Sequence, residues 1–141
     1  MSGPSVIVDT NIFVSARNPN EASYDACRHL LDRIDAGRVR ALVSTVTVAE
    51  IRAGLKPAEV RAVWQAFVSH LLTSPSYSVE AVDVEIAERA GELRQQTKLT
   101  LPDALIVATG QIREVTAVVT QDRQLGRLQS VVRTCGPTEV G

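Results

Sequence analysis

Short, β-branched apolar runs that end beside an aspartate constrain the fold of this chain most strongly. Ser5–Val8 leads directly into Asp9, and Ala117–Thr120 is followed two positions later by Asp122. Ala41–Val43 is a third run of the same kind. Apolar runs of this length without polar alternation are typical of strands buried on both faces of a parallel sheet. We therefore expect a mainly parallel sheet in which two strands end close to carboxylates.

Amphipathic helical patterns alternate with these strands. The predicted helices begin at Asn18, Ser44, Pro57, Asp83 and Pro102, and a last helical turn covers Gln124–Leu128. Tyr77–Val82 alternates weakly, as in a short strand or an extended connection, and Val131–Val132 is expected to form a final strand. Strands that alternate with helices predict an α/β sandwich. We expect one domain over residues 1–141, with a loose tail over 135–141.

The composition fits one ordinary domain and argues against several classes of protein. The 141 residues carry 15 Lys and Arg against 16 Asp and Glu, a net charge of −1, so no global basic field indicates nucleic-acid binding. Cys27 and Cys135 form no C-x-x-C pair, which argues against a disulfide framework and a thiolate zinc site. No run of about 18 apolar residues and no signal peptide is present, so we expect a cytoplasmic protein without membrane contact.

Four acidic residues are expected at one end of the sheet, where α/β proteins bind their ligands. Asp9 and Asp122 follow strands, whereas Glu50 and Asp103 lie in adjoining helices. Each has an ordinary explanation by itself. Asp9 could cap a helix, Asp122 could form a turn, Asp103 could favour a helix dipole, and Glu50 could face solvent.

Taken together, the four acids predict a metal site. Two carboxylates about 4 Å apart repel each other by roughly 4 kcal/mol at an effective dielectric constant near 20. Lys98 and Arg123 are cations that lie close to the acids in sequence. A divalent ion is the natural counter-charge, and ligation by oxygen alone selects Mg²⁺ or Mn²⁺. Such ions commonly engage substrate phosphates, which indicates phosphoester chemistry.

Four stretches of the chain, in order and at suitable spacing, resemble PIN domains, specifically the ribonuclease toxins of VapBC-type bacterial toxin–antitoxin pairs. These stretches are Val6–Phe13, Thr45–Ile51, Leu101–Thr109 and Val118–Arg123. The resemblance implies a three-layer α/β/α fold and an endoribonuclease that uses Mg²⁺ or Mn²⁺ to cut RNA phosphodiester bonds. One departure is the sequence Gln124-Leu125, where many members of the family have an aromatic residue.

The resemblance also implies roles for individual residues. Asp9, Glu50, Asp103 and Asp122 match the family's acidic quartet, which binds the metal ion and is catalytic. Asn11 and Thr120 match polar positions of the family's site. Thr10 is expected either to support the site as a hydrogen-bond donor or to be a turn residue.

Partners follow from the same resemblance. We expect an antitoxin of the VapB type that covers the acidic site, a homodimer, and a larger assembly with antitoxin. Phosphates of the RNA substrate are expected to contact basic residues near the motifs, namely Arg17, Arg52, Lys98 and Arg123.

Two other functions stay open. A non-catalytic PIN-like binding module would share the fold. An aspartyl-nucleophile phosphatase would also place an aspartate after its first strand, but it typically needs a second aspartate two residues later, where this chain has Asn11. Trp64 and Phe67 share a helical stripe with Val60 and Leu71, so we expect them in the core or in a subunit interface rather than in RNA stacking.

Overall fold

The sheet is parallel throughout in the computed structural model, which describes residues 3–129 and 131–141. The strands are β1 Ser5–Val8, β2 Arg40–Ser44, β3 Tyr77–Glu80, β4 Ala117–Val119 and β5 Thr134–Cys135. Their order across the sheet is β3-β2-β1-β4-β5. The chain leaves β1 toward one edge and later returns to its other side at β4. This reversal opens a crevice beyond the carboxyl ends of β1 and β4, the usual place for a ligand in such folds.

Seven α-helices connect and cover the strands of the described part of the chain. They are α1 Thr10–Ala16, α2 Tyr24–Asp35, α3 Thr45–Gly54, α4 Gln65–Thr73, α5 Val84–Gln96, α6 Leu101–Ile112 and α7 Arg123–Gly126. A 3₁₀ turn, Pro57–Glu59, and a π-helical segment, Val60–Trp64, precede α4. No helix among the described residues is long and apolar enough to cross a membrane.

Alternate residues of the strands face two different helical layers. Val6 and Val8 pack with residues of α1, α2 and α4, whereas Ile7 packs with Val118 and with Ile106 of α6. A second cluster of buried residues joins α5 to α6. Side chains on opposite faces of each strand therefore bury against different helices, which confirms the predicted three-layer α/β/α architecture.

The aromatic residues of the helical stripe belong to the core. Trp64 and Phe67 are half-buried and pack against the larger core cluster. Phe67 meets Phe13 edge to face, with ring centroids 5.5 Å apart. This arrangement uses the rings for packing, as the helical spacing predicted.

Several predicted boundaries are wrong. The segment Asn18–Glu21 forms turns, and α2 begins only at Tyr24. The predicted helix from Pro57 begins as a 3₁₀ turn and a π-helical segment before it continues as α4. The last strand is Thr134–Cys135 rather than Val131–Val132, whose side chains pack against the α5–α6 cluster instead.

The tail differs from the expected loose segment. Cys135 lies in β5, and Val140 is buried in the core cluster. The guanidinium of Arg33 donates a hydrogen bond to the carbonyl oxygen of Val140 over 2.7 Å. The side chain of Val140 thus belongs to the core. The turn-forming residues around it in the sequence had suggested a loose segment instead.

Candidate active site

Asp9 is placed at the centre of the sheet by β1 and acts as the N-cap of α1. Its backbone N–H donates to the carbonyl oxygen of Val119 over 2.9 Å, which fixes the end of β1 against β4. Its Oδ1 atom accepts a 2.8 Å hydrogen bond from the backbone N–H of Thr10. Only 4% of Asp9 is exposed, so this carboxylate is almost completely removed from bulk water.

The second oxygen of Asp9 is surrounded by side-chain donors. The Thr120 hydroxyl donates to Oδ2 over 2.7 Å, and the Asn11 amide donates to the same atom over 3.2 Å. Thr120 Oγ1 in turn accepts a 2.9 Å hydrogen bond from the backbone N–H of Asp122. Asn11 and Thr120 therefore fix the orientation of Asp9 and connect it to the turn that carries Asp122.

The carboxylate of Glu50 is hydrogen-bonded to Thr10, the residue that follows Asp9. The Thr10 hydroxyl lies 2.6 Å from Glu50 Oε1 and 3.0 Å from the hydroxyl of Thr47, which is fully buried. Glu50 itself is exposed on α3. Thr47 was not among the predicted site residues, although its position three residues before Glu50 places both side chains on one face of a helix.

The other two acids begin helices at the same edge. Asp122 is the N-cap of α7, and its Oδ1 accepts a 2.8 Å hydrogen bond from the backbone N–H of Gln124. Asp103 is half-buried in the first turn of α6, which Thr100 caps. The ordinary explanation for each of these aspartates is therefore correct, and Asp122 makes its cap contact with only one of its two carboxylate oxygens.

The four acids interact electrostatically. Burial raises the pKa of Asp9 to about 6; hydrogen bonds from Thr120 and Thr10 oppose the increase, and the charges of Asp103 and Glu50 add to it. Burial also raises the pKa of Asp103, against the effect of a hydrogen bond from Thr100, and the charges of Asp122 and Glu50 add to the increase. The structure thus brings the four predicted acids together at one end of the sheet.

No cation neutralises this cluster within residues 3–129 and 131–141, because none of the ion pairs there involves any of the four acids. Among the basic residues predicted to contact RNA, Arg17 is paired with Glu59 over 3.1 Å. Arg52, Lys98 and Arg123 are exposed. Their side chains make no ion pair with the described residues and stay free to meet an anion.

The donor set suits a hard divalent ion in its chemistry. Carboxylate oxygens are the ligands of Mg²⁺ and Mn²⁺. Burial is the main cause of the raised pKa values of Asp9 and Asp103, and the charges of the neighbouring acids add to both. However, no three His, Cys, Asp or Glu side chains in the described part of the chain lie close enough together to form a ready-made metal site.

A groove of about 410 Å³ lies elsewhere on the molecule, between α1, α2 and α4. Phe13, Leu31, Phe67 and Tyr77 are among its apolar lining residues, and none of the four acids contributes to it. The acidic edge is thus distinct from this apolar groove.

Comparisons with known proteins agree with this architecture. The sequence profile of the PIN domain family matches residues 6–130. A search of curated protein sequences finds no match.

Several solved structures share the fold. A toxin–antitoxin complex from Klebsiella pneumoniae is 24% identical, with 94% of this chain and 97% of that chain covered and a TM-score of 0.72. FitAcB from Neisseria gonorrhoeae is 20% identical, with coverage of 95% and 99% and a TM-score of 0.68. VapC20 from Mycobacterium tuberculosis, described as a sarcin–ricin loop cleaving toxin, is 16% identical, with coverage of 87% and 94% and a TM-score of 0.67. At these identities the likeness establishes the fold.

Proposed function

The chain belongs to the PIN domain family, and from this premise we propose that it is a metal-dependent endoribonuclease that acts as the toxin of a type II toxin–antitoxin pair. Its substrate is RNA, and its reaction is hydrolysis of a phosphodiester bond. Asp9, Glu50, Asp103 and Asp122 are the proposed metal ligands and catalytic residues.

One observation carries this proposal: four carboxylates lie at the carboxyl edge of a parallel sheet, and none of them forms an ion pair with a cation of the described residues. The most buried of them, Asp9, lies in the crevice between β1 and β4 and has its pKa raised to about 6. A fold retains such a destabilised group more readily when a ligand compensates for it, and perturbed carboxylates in a crevice are typical of functional sites.

Bound Mg²⁺ or Mn²⁺ would supply Lewis-acid catalysis and lower the pKa of a water nucleophile. The chain itself supplies the orientation of the ligands. Thr120 and Asn11 hold one oxygen of Asp9, the backbone of Thr10 holds the other, and the Thr10 hydroxyl holds Glu50. Hydrogen bonds of this kind reduce the freedom of the carboxylates and raise the precision of ligation.

Binding of RNA requires cations, because the acidic edge repels phosphate. Arg52, Lys98 and Arg123 are exposed and lack ion pairs within the described residues, so we assign them to phosphate contacts. Arg17 would have to leave Glu59 to take part, which makes its contribution smaller.

The proposed partners are an antitoxin of the VapB type, which covers the acidic site, and a second copy of this chain. Similar structures, one described as a toxin–antitoxin complex and two described as DNA-bound VapBC, support this proposal. A basic antitoxin side chain would be stabilised by a carboxylate cluster through charge-assisted hydrogen bonds. Light scattering of the purified chain at micromolar concentration tests the homodimer, and a single species of monomer mass would contradict it.

A binding module without catalytic activity is the second candidate. The open spacing of the acids, which form no ready-made metal site among the described residues, favours it. An aspartyl-nucleophile phosphatase fits less well, because the Asn11 amide donates to Asp9 and supplies no acidic proton for a leaving group.

Cleavage of a mixed RNA pool by the purified chain tests the proposal. We expect cleavage with Mn²⁺, none with EDTA, and none with Asp103→Asn. Asp25→Asn is the matched control, because Asp25 is an exposed aspartate in the first turn of α2, and this variant should cleave normally. A folded chain that binds no Mn²⁺ and cuts no RNA would favour the binding module.

A further inference from the structure

Gln121, which lies between two residues of the candidate site, connects its turn to helix α1. Its side-chain Nε2 donates to the hydroxyl oxygen of Ser15 over 2.9 Å and to the carbonyl oxygen of Asn11 over 3.3 Å. Its backbone N–H donates to Asn11 Oδ1 over 3.2 Å. Three hydrogen bonds from one residue therefore join the loop after β4 to the first two turns of α1.

The backbone contact decides how the Asn11 amide is oriented. Because Oδ1 of Asn11 accepts from Gln121, its Nδ2 must face Asp9 Oδ2 and Thr120 Oγ1, which are acceptors at 3.2 and 3.3 Å. A flipped amide would place an oxygen against the Asp9 carboxylate and a donor against the Gln121 N–H. The hydrogen bonds of this network are mutually consistent in one orientation only.

The side-chain contacts fix the distance between the two segments. Both protons of the Gln121 Nε2 group are donated to residues of α1. Asp9 is the N-cap of this helix, and Asp122 directly follows Gln121 in the chain. Ser15 is buried, so its hydroxyl is a well-defined anchor. Movement of the loop relative to α1 would therefore break these hydrogen bonds.

We propose that Gln121 is a positioning residue that holds the Thr120–Asp122 turn against α1 and so sets how Asp9 and Asp122 are placed for a shared ligand. The inference rests on the proposed metal-dependent function. It concerns a residue that touches none of the four acids with its side chain and acts through Asn11 and Ser15.

Mn²⁺ binding to the full-length chain, measured by calorimetric titration, tests this role. Gln121→Met keeps the length of the side chain and removes both donors. We expect it to weaken Mn²⁺ binding by roughly 10- to 100-fold, the range typical of residues that orient metal ligands. RNA cleavage should show a lower kcat with an unchanged KM.

Gln129→Met is the matched control. The Nε2 group of Gln129 also donates two hydrogen bonds, to the carbonyl oxygen and to the hydroxyl oxygen of Thr134. Thr134 lies in β5 and not among the four acids. This variant should lower the thermal midpoint and leave Mn²⁺ affinity unchanged. Equal Mn²⁺ affinity in both variants and the wild type would overturn the positioning role.

A second readout needs neither metal nor RNA. The side-chain amide signals of Asn11 in the NMR spectrum should shift in Gln121→Met and stay in place in Gln129→Met, and unchanged signals in both would overturn the inference. Failure of the wild type to bind Mn²⁺ would instead refute the proposed function.

Should Gln121→Met fail to fold, Ser15→Ala removes one of the two acceptors of Nε2. It should weaken Mn²⁺ binding in the same direction by a smaller factor. Mn²⁺ affinity equal to that of the wild type in a folded Ser15→Ala chain would contradict the role of this contact.

Discussion

Burial of Asp9 predicts that the metal-free protein loses stability as the pH rises. The pKa of this carboxyl is raised, chiefly by burial, from its ordinary value of 3.8 to about 6. The Asp9 carboxyl therefore binds its proton more tightly in the folded state than in the unfolded state. The corresponding stability is fully present below pH 3.8 and is lost as the pH rises through about 6.

The magnitude follows from the two pKa values. The difference between about 6 and 3.8, at 1.36 kcal/mol for each pKa unit, corresponds to about 3 kcal/mol between the low-pH and high-pH limits. Of this amount, about 2 kcal/mol falls between pH 4.5 and pH 7.5. Because Asp9 is only 4% exposed, solvent screening reduces this value little.

Asp9→Asn isolates this contribution. Asparagine is as good an N-cap as aspartate, so the hydrogen bond from Thr10 is retained. The contacts of Oδ2 with Thr120 and Asn11 are weakened, but that cost of about 1–2 kcal/mol does not depend on pH. The free energy of unfolding of Asp9→Asn minus that of the wild type should therefore rise by about 2 kcal/mol between pH 4.5 and pH 7.5.

Urea unfolding at the two pH values in the presence of EDTA measures this difference. Asp25→Asn serves as the exposed control, for which we expect no comparable change with pH. A difference between Asp9→Asn and the wild type that stays constant from pH 4.5 to pH 7.5 would show that Asp9 is not destabilised by its environment, and the reasoning would be refuted.

Three further predictions concern the same site and the tail. Thr120→Val removes a buried donor to Asp9 and the acceptor for the Asp122 N–H. It should lower the free energy of unfolding in urea by about 1–3 kcal/mol, whereas Thr120→Ser should be close to the wild type. Equal stabilities of the two variants would contradict this prediction. Mn²⁺ should raise the thermal midpoint more at pH 7.5 than at pH 5, because Asp9, whose pKa is raised to about 6, is charged at the higher pH. An equal increase at both pH values in a thermal scan would count against Asp9 as a ligand. Truncation after Glu139 removes the buried Val140 side chain. It should lower the free energy of unfolding in urea by roughly 1.5–3 kcal/mol. An unchanged midpoint of the urea transition would mean that this side chain does not stabilise the core.

Hydrophobic patterning was sufficient to predict an α/β fold with a mainly parallel sheet. Val6–Val8 and Ala117–Val119 are buried on both faces, so their sequences lack polar residues and are readily recognised as parallel strands. The carboxyl ends of such strands share one edge, which is why Asp9 and Asp122 could be expected near each other before any contact was known.

Other elements depend on contacts that the local sequence does not contain. The Asn18–Glu21 segment has the residues of a helix start, but they form turns, and α2 begins six residues after Asn18 at Tyr24. The two-residue strand β5 is defined by its pairing with β4 rather than by its own composition. Val140 is buried because it packs in the core cluster and contacts Arg33. In sequence, Arg33 is 107 residues away from it.

The ordinary and the functional explanations of the aspartates are compatible, because a carboxylate has two oxygens. Asp122 caps α7 with Oδ1, which leaves its other oxygen and its charge available to the cluster. Asp122→Asn should therefore separate the two roles: the cap survives, since asparagine and aspartate are equivalent there, while the charge that an ion requires is lost. We expect the thermal midpoint of the metal-free chain to be retained and Mn²⁺ titration to show weaker binding. A fall in the midpoint with unchanged Mn²⁺ affinity would instead mean that Asp122 serves the helix alone.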